Sequence, residues 1–406
     1  MGLKNYFNYL LVVLVYLVMC SSCRKESNAP APLIASATED AVVTPIVNKE
    51  KGVYLIYDGF GLTTCTDCAP APGECTGCGP SGNGSVVTDK SVNLSYYNLA
   101  TNKITTNSIG ITGFYPVIQD FKIYGSKMYI SYFSGQNSFI RVLNASTKAF
   151  IQQITLKNGD TFQPTGTLFY KNYLLIATTQ NSIAMLDTAA LTISRYFNIG
   201  AQGSQMVIKN DKLYIICNGN MPNGFIRIID LRTNAFVKDI PVLIYPQGIG
   251  ADSYGKVYVW SPGLGTDSRQ MSNPYGGGII VIDSKNDNVI HQDNDSYKGM
   301  CVAGNKIYLI TIDNKIEIFD AETYKLINPN LIAKNPNVIN APYYIVADTL
   351  TDYTYVYNAP DPDYLVGYIL NPTGKTFTRI FVFDKNYNQV YDDIVGLAPI
   401  QAALAN

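Results

Sequence analysis

Leu213-Tyr214-Ile215, then a variable stretch, then Ile229-Asp230-Leu231-Arg232-Thr233-Asn234: this pair of phrases decides the fold, because the chain keeps returning to it. The first phrase is a short strand with an aromatic or bulky apolar centre. It appears as Val53-Tyr54-Leu55-Ile56, Met128-Tyr129-Ile130, Leu174-Leu175-Ile176, Leu213-Tyr214-Ile215, Val257-Tyr258-Val259, Ile307-Tyr308-Leu309 and Tyr355-Val356-Tyr357. The second closes a strand on an apolar residue followed by Asp or Asn: Tyr97-Asn98, Leu143-Asn144, Leu186-Asp187, Ile229-Asp230, Ile282-Asp283, Phe319-Asp320 and Phe383-Asp384. A short carboxylate or amide there can accept hydrogen bonds from backbone N–H groups two residues on, which fixes a tight turn into another strand.

Seven returns at a spacing of roughly 40 to 60 residues match four-stranded propeller blades and no shorter solenoid period. The fold predicted is all-β, a seven-bladed β-propeller of four-stranded antiparallel blades. Proline recurs just before the next strand, at Pro116, Pro164, Pro246, Pro342 and Pro399. Having no N–H to give, proline is tolerated at the first residue of a strand, so these segments are expected to be the innermost strands. The first repeat begins without such a segment and the chain ends on one, Pro399 to Ala405. The C-terminal strand is therefore expected to complete the first blade and close the ring.

Composition narrows the function. The chain has 406 residues, 47% hydrophobic and 12% aromatic, enough for one large core. Charged residues make up 15% and the formal net charge is -1, which offers no basic surface for nucleic acid. The one histidine, His291, would have to serve any triad or histidine metal site alone. It lies in Asn288-Val289-Ile290-His291-Gln292, read as the end of an outer strand with its imidazole at the surface.

The N-terminus reads as an address. Tyr9 to Met19 is an apolar run of about 11 residues, too short to span a bilayer and right for a signal-peptide core. Ser21-Ser22-Cys23 resembles a bacterial lipobox, whose cysteine is diacylated and becomes the mature N-terminus. Cys20, where that pattern prefers Leu, is a departure from it and a second candidate. Residues 1–22 are thus read as a lipoprotein signal peptide. Residues 23–51, rich in Pro, Ala, Ser and charge without a sustained period, are read as a flexible tether. Residues 52–406 form the propeller domain.

The repeat resembles the YncE-like propeller proteins, and its combination with a lipobox resembles propeller lipoproteins of Bacteroidota. The resemblance implies a protein lipid-anchored at the outer membrane, on the cell surface. Some lipoproteins of this general kind capture cobalamin and hand it to a TonB-dependent transporter, so such a transporter is an implied partner. No ligand contact maps residue by residue.

Several constellations could carry chemistry. Cys65-Thr66-Asp67-Cys68 and Cys75-Thr76-Gly77-Cys78 could hold a tetrahedral Zn²⁺, form two disulfides or act as a redox pair. An exported chain in an oxidising compartment favours disulfides. With neither second cysteine followed by histidine, a c-type haem is excluded. Three long inserts, Gly59 to Gly84, Ser261 to Gly278 and Asn358 to Lys375, fall between second and third strands, on the face shared with the blade connections. Acidic clusters at Asp361-Pro362-Asp363, Asp293-Asn294-Asp295 and Asp392-Asp393 lack the spacing of a calcium loop and read as solvated turns. Cys217 and Cys301 read as buried small hydrophobes.

A ligand is expected on that loop-bearing face. Tyr115, Tyr245, Tyr297 and Tyr343 stand just before or at the start of innermost strands, where a side chain can point into the central funnel. Gln205, Gln247 and Lys298, at equivalent positions, add polar groups. Tyrosine joins a large apolar face to one hydroxyl at low conformational cost. The leading function is a non-enzymatic binding protein for a small-molecule or glycan ligand or a partner protein. A carboxylate-dependent hydrolase or lyase on the same face, which needs no histidine, and an adhesin or assembly factor are the alternatives.

Overall fold

The computed structural model describes residues 51–57, 92–111, 116–156, 162–218, 223–263, 277–333, 342–358, 378–396 and 399–405. Among them are seven four-stranded antiparallel sheets and no helix. Six blades are simple meanders. Blade one borrows its innermost strand, Pro399–Ala405, from the C-terminus and pairs it with Gly52–Tyr57, from Gly52 opposite Ala405 to Tyr57 opposite Pro399. The last strand therefore closes the ring, as the proline pattern anticipates.

The innermost strands of blades two to seven are Val117–Tyr124, Pro164–Tyr170, Gln202–Lys209, Gly248–Ala251, Tyr297–Ala303 and Pro342–Ala347. Each packs against the next, and Pro399–Ala405 packs against both Val117–Tyr124 and Pro342–Ala347. The seven blades are thus a continuous circle around a central channel.

Every second strand is sandwiched between two neighbouring blades, so both of its faces are covered. In Lys212–Asn218 the run Leu213, Tyr214, Ile215, Ile216 and Cys217 is fully buried. This explains why the sequence shows continuous apolar runs there instead of alternation. At the rim the reverse holds, and all of Asn288–Gln292 is exposed, His291 included.

The closing Asp or Asn acts as anticipated in all seven blades. Its Oδ1 accepts a backbone N–H from two residues on: Ala100, Ser146, Ala189, Arg232, Lys285, Glu322 and Asn386 in turn. Each turn then passes through a left-handed residue, such as Lys148, Leu191, Asn234 or Asp287. In blades two to six the residue after the Asp or Asn returns its N–H to the turn between strands one and two, as with Leu231 to the Asp211 carbonyl at 2.8 Å.

A buried tyrosine recurs at one register position of the second strand: Tyr54, Tyr129, Tyr214, Tyr258, Tyr308 and Tyr355, with Leu175 in blade three. A buried phenol needs a partner for its hydroxyl, and four of these find one in the next blade. Tyr54 donates to the Ala145 carbonyl, Tyr129 to Thr188, Tyr214 to the Asp287 carboxylate and Tyr258 to Ala321. Lysines two residues earlier reinforce the tie, Lys127 Nζ reaching Thr188 O at 2.7 Å and Lys256 Nζ reaching Ala321 O at 2.7 Å. The motif Lys-apolar-Tyr is thus a blade-to-blade staple.

Candidate functional site

Strand direction fixes the two faces of the ring. Innermost strands run away from the face where the chain crosses between blades, so the connections between second and third strands return to that same face. The long stretches Tyr57 to Asn93, Ser261 to Gly278 and Asn358 to Thr378 all start and end there. Most of their residues lie outside those described, including Cys65, Cys68, Cys75 and Cys78; so does Cys23. Gly52 and Ala405 pair at the opposite face, among the tight turns.

At the loop-face end, the innermost strands share one irregularity. Pairing with the second strand skips a residue between Ile118 and Asp120, Pro164 and Gly166, Tyr297 and Gly299, and Pro342 and Tyr344. It skips two between Gly203 and Met206, and shifts again where Pro399 and Gln401 face Tyr57 and Ile56. The bulged residues are therefore Gln119, Thr165, Ser204 with Gln205, Lys298, Tyr343 and Ile400. In blade five Gly248 pairs regularly with Trp260, and Gln247 directly before it takes the equivalent place.

A bulge re-aims one side chain out of the pleat. Burial records the effect: Gln119 is accessible between buried Ile118 and Asp120, Thr165 between Pro164 and Gly166, and Lys298 between Tyr297 and Gly299. Gln205 and Gln247 are exposed outright. Among the side chains described, Gln119, Thr165, Gln205, Gln247 and Lys298 are thus the accessible ones at the loop-face ends of blades two to six.

The supporting shell is tightly tied. Asp120, itself buried, accepts the Thr167 N–H at 2.8 Å and the Thr167 hydroxyl at 2.7 Å from the next blade, plus Lys122 Nζ at 3.0 Å. Thr165 donates across to the Gly203 carbonyl at 2.6 Å. Gly166 must be glycine, because a Cβ there would lie 2.5 Å from the Ser204 carbonyl oxygen. Deeper in, burial raises the Tyr344 phenol, with the Asp120 carboxylate adding to the effect.

Lys298 reaches the hairpin of its own blade, donating to Asn314 Oδ1 at 2.6 Å. Burial lowers its pKa below the usual lysine range, with Asp313 opposing. Among the carboxylates of this blade and of the connection leading into it, burial raises Asp293 and Glu317, while the hydrogen bond from Lys315 lowers Asp313. Asp293 Oδ1 accepts the Ile279 and Asp295 N–H groups, a turn-forming role. No group of three or more His, Cys, Asp and Glu placed to hold a metal occurs among the described residues.

The residues predicted from sequence divide. Gln205, Gln247 and Lys298 are accessible at the loop-face ends of blades four, five and six, and Tyr343 occupies the bulge of blade seven. Tyr245 is half-buried in a left-handed conformation, φ 54°, on the connection leading to Gln247. Tyr115 lies outside the described residues. Tyr297 does not face the funnel: it is buried between blades five and six with Tyr258, Trp260 and Leu309, and its carbonyl accepts the Trp260 indole N–H at 3.0 Å. The bulge falls one residue later, so the pleat turns Tyr297 inward and hands the mouth to Lys298. Gln119 and Thr165 escaped the sequence reading. A signal existed for the second, since Thr165, Gln247, Tyr343 and Ile400 each directly follow one of the recurring prolines.

No protein-family model matches this sequence, and no curated protein does. Solved structures share the fold. Dihydro-heme d1 dehydrogenase NirN, in complex with DHE, superposes with a TM-score of 0.51 at 13% identity, over 77% of this chain and 64% of that one. Kuenenia stuttgartiensis hydrazine synthase gives 0.49 at 14% identity over 66% and 86% of the two chains. BamB from Moraxella catarrhalis gives 0.44 at 14% over 75% and 80%. At such identities the likeness is one of fold alone.

Proposed function

We propose that this seven-bladed propeller is a lipid-anchored envelope protein that binds rather than catalyses, receiving a ligand or partner at its loop face. The observation that carries this is the run of bulges at the loop-face ends of six innermost strands, with Gln247 in the equivalent place in blade five. Several of these carry polar side chains that neither act as nucleophiles nor ligate metals well. The chain joins the propeller at Lys51 and Gly52, on the opposite face. A membrane anchor at Cys23 therefore leaves the mouth free, and a flexible leash of that length spans roughly 30 Å. The YncE-like lipoprotein resemblance supports an outer-membrane location, with delivery to a TonB-dependent transporter as the downstream step.

A carboxylate-dependent hydrolase or lyase is the second reading. Asp293 and Glu317, raised by burial, near Asp313, held low by Lys315, offer the split acidities that acid and base roles require. Binding is preferred because Asp293 already spends its Oδ1 on backbone donors.

Photo-crosslinking residues placed at Gln247 on the loop face and Asn172 on the turn face, in cells, test the reading. Adducts at Gln247 and none at Asn172 are expected; the reverse pattern overturns it. Intact-mass analysis of the same membrane-fraction protein should find diacylglycerol on Cys23.

A further inference from the structure

We propose that the bulge ring is a receptor for an uncharged, polyhydroxylated ligand, an oligosaccharide, entering the channel from the loop face; this rests on the binding function proposed above. Gln119, Gln205 and Gln247 bring three primary amides to one mouth from blades two, four and five. Each amide offers two donors and a carbonyl acceptor, matching sugar hydroxyls, which are donors and acceptors at once. Lys298 adds a donor held by an amide, not by a carboxylate.

Charge selects within the polar ligands. An anionic ligand approaching Lys298 would meet Asp313, whose charge acts on that lysine, with Glu317 under the influence of Asp313 and Asp295 in turn. A cationic ligand would meet Lys298 itself, already partly withdrawn from water. A neutral ligand avoids both penalties and can use the carboxylates as acceptors. Half-exposed Tyr245, two residues before Gln247, supplies an aromatic face of the kind that covers the apolar side of a sugar ring.

Rigidity completes the case. Thr165 is tied to Gly203, Asp120 to Thr167, and the backbones of blades three and four approach too closely at Gly166 and Ser204 for any side chain. The part of the mouth built by blades two to four is therefore set before the ligand arrives, which lowers the ordering cost that weakens flexible sites.

The test uses the full mature lipoprotein in a detergent without sugar head groups, titrated calorimetrically with maltoheptaose, cellohexaose, xylohexaose, mannohexaose and chitohexaose. Polygalacturonate and heparin fragments are the acidic counterparts. At least one neutral oligosaccharide should bind with a Kd of roughly 1 μM to 1 mM. The pair Gln205→Ala and Gln247→Ala should weaken it about tenfold or more, Gln119→Ala less, and Asn172→Ala on the turn face not at all, all with unchanged melting. No binding by any neutral oligosaccharide, binding by the acidic ones alone, or binding indifferent to the double variant overturns the proposal. Crosslinks at Gln247 that persist beside such a result would retain the loop face as the binding surface and remove only the ligand class.

Discussion

The Tyr214 hydroxyl of blade four donates to the Asp287 carboxylate of blade five, and Lys212 Nζ meets the other oxygen of that carboxylate at 2.6 Å. Asp287 is buried and left-handed, φ 59°, at the turn that ends the third strand of its blade. One side chain thus shapes a turn and holds two blades together. Asp287→Asn keeps an acceptor and a residue type that tolerates this conformation, but leaves Lys212 without its counter-charge. Stability should fall by about 1 to 3 kcal/mol in urea unfolding with an unchanged slope. A loss under about 0.5 kcal/mol would show that the pair contributes nothing net.

Acid should release a second interaction. The Arg232 guanidinium beside Asp230 holds that carboxyl at about 2, against an ordinary 3.8, with the Arg232 and Thr233 N–H groups helping. A folded-state value below the unfolded one means the stabilisation is full above about pH 4 and is lost as pH falls toward 2. Arg232→Ala should therefore melt lower than the parent at pH 7, by a small margin because the pair is exposed. The gap should close near pH 2. A gap that stays constant across this range would assign the effect to packing of the arginine stem.

Ring closure rests on the last strand. A chain stopped after Gly396 lacks the strand that pairs with Gly52–Tyr57 and packs on its neighbours at both sides. Blade one would present an open edge to the channel, a template for aggregation. Such a truncation should lose cooperative unfolding and accumulate as aggregate. Moving residues 399–405 ahead of Gly52 through a short turn should restore it, because Ala405 and Gly52 already stand opposite each other. A truncated chain that melts like the parent would show the closure to be dispensable.

What the sequence could reveal followed how local each cause is. Asp230 announces its turn because the carboxylate acts on N–H groups two and three residues away. Leu213 to Cys217 announce a strand covered on both sides because all are apolar. The choice between Tyr297 and Lys298 was not legible, since it depends on which residue the pairing with Thr311 and Ile310 skips. Gln119 was hidden for the same reason, as its proline stands three residues away rather than one. Asp120 looked like any acidic residue, and only the ring brings Thr167 to it.

Six of the eight cysteines should sort by environment. Burial pushes the Cys217 thiol up to about 12 and the Cys301 thiol up to about 11. At pH 8 the thiolate, the species that alkylates, is then a fraction of about one in a thousand or less at either site. Cys301 is half-buried against the core of blades six and seven, Cys217 fully buried. Iodoacetamide on the native protein should leave both unlabelled and reach them only after denaturant. Cys65, Cys68, Cys75 and Cys78 lie outside the described residues; for the envelope protein proposed above, their two short spacings point to bridges within Thr64 to Gly79. Non-reducing peptide mapping should recover both bridges there, with two further thiols appearing at Cys217 and Cys301 on unfolding. Because a short closed loop restrains few residues beyond itself, reduction should change the melting temperature little. Four alkylatable thiols released together with stoichiometric zinc would assign a metal site instead, and rapid native labelling of Cys301 would show that its flank opens in solution.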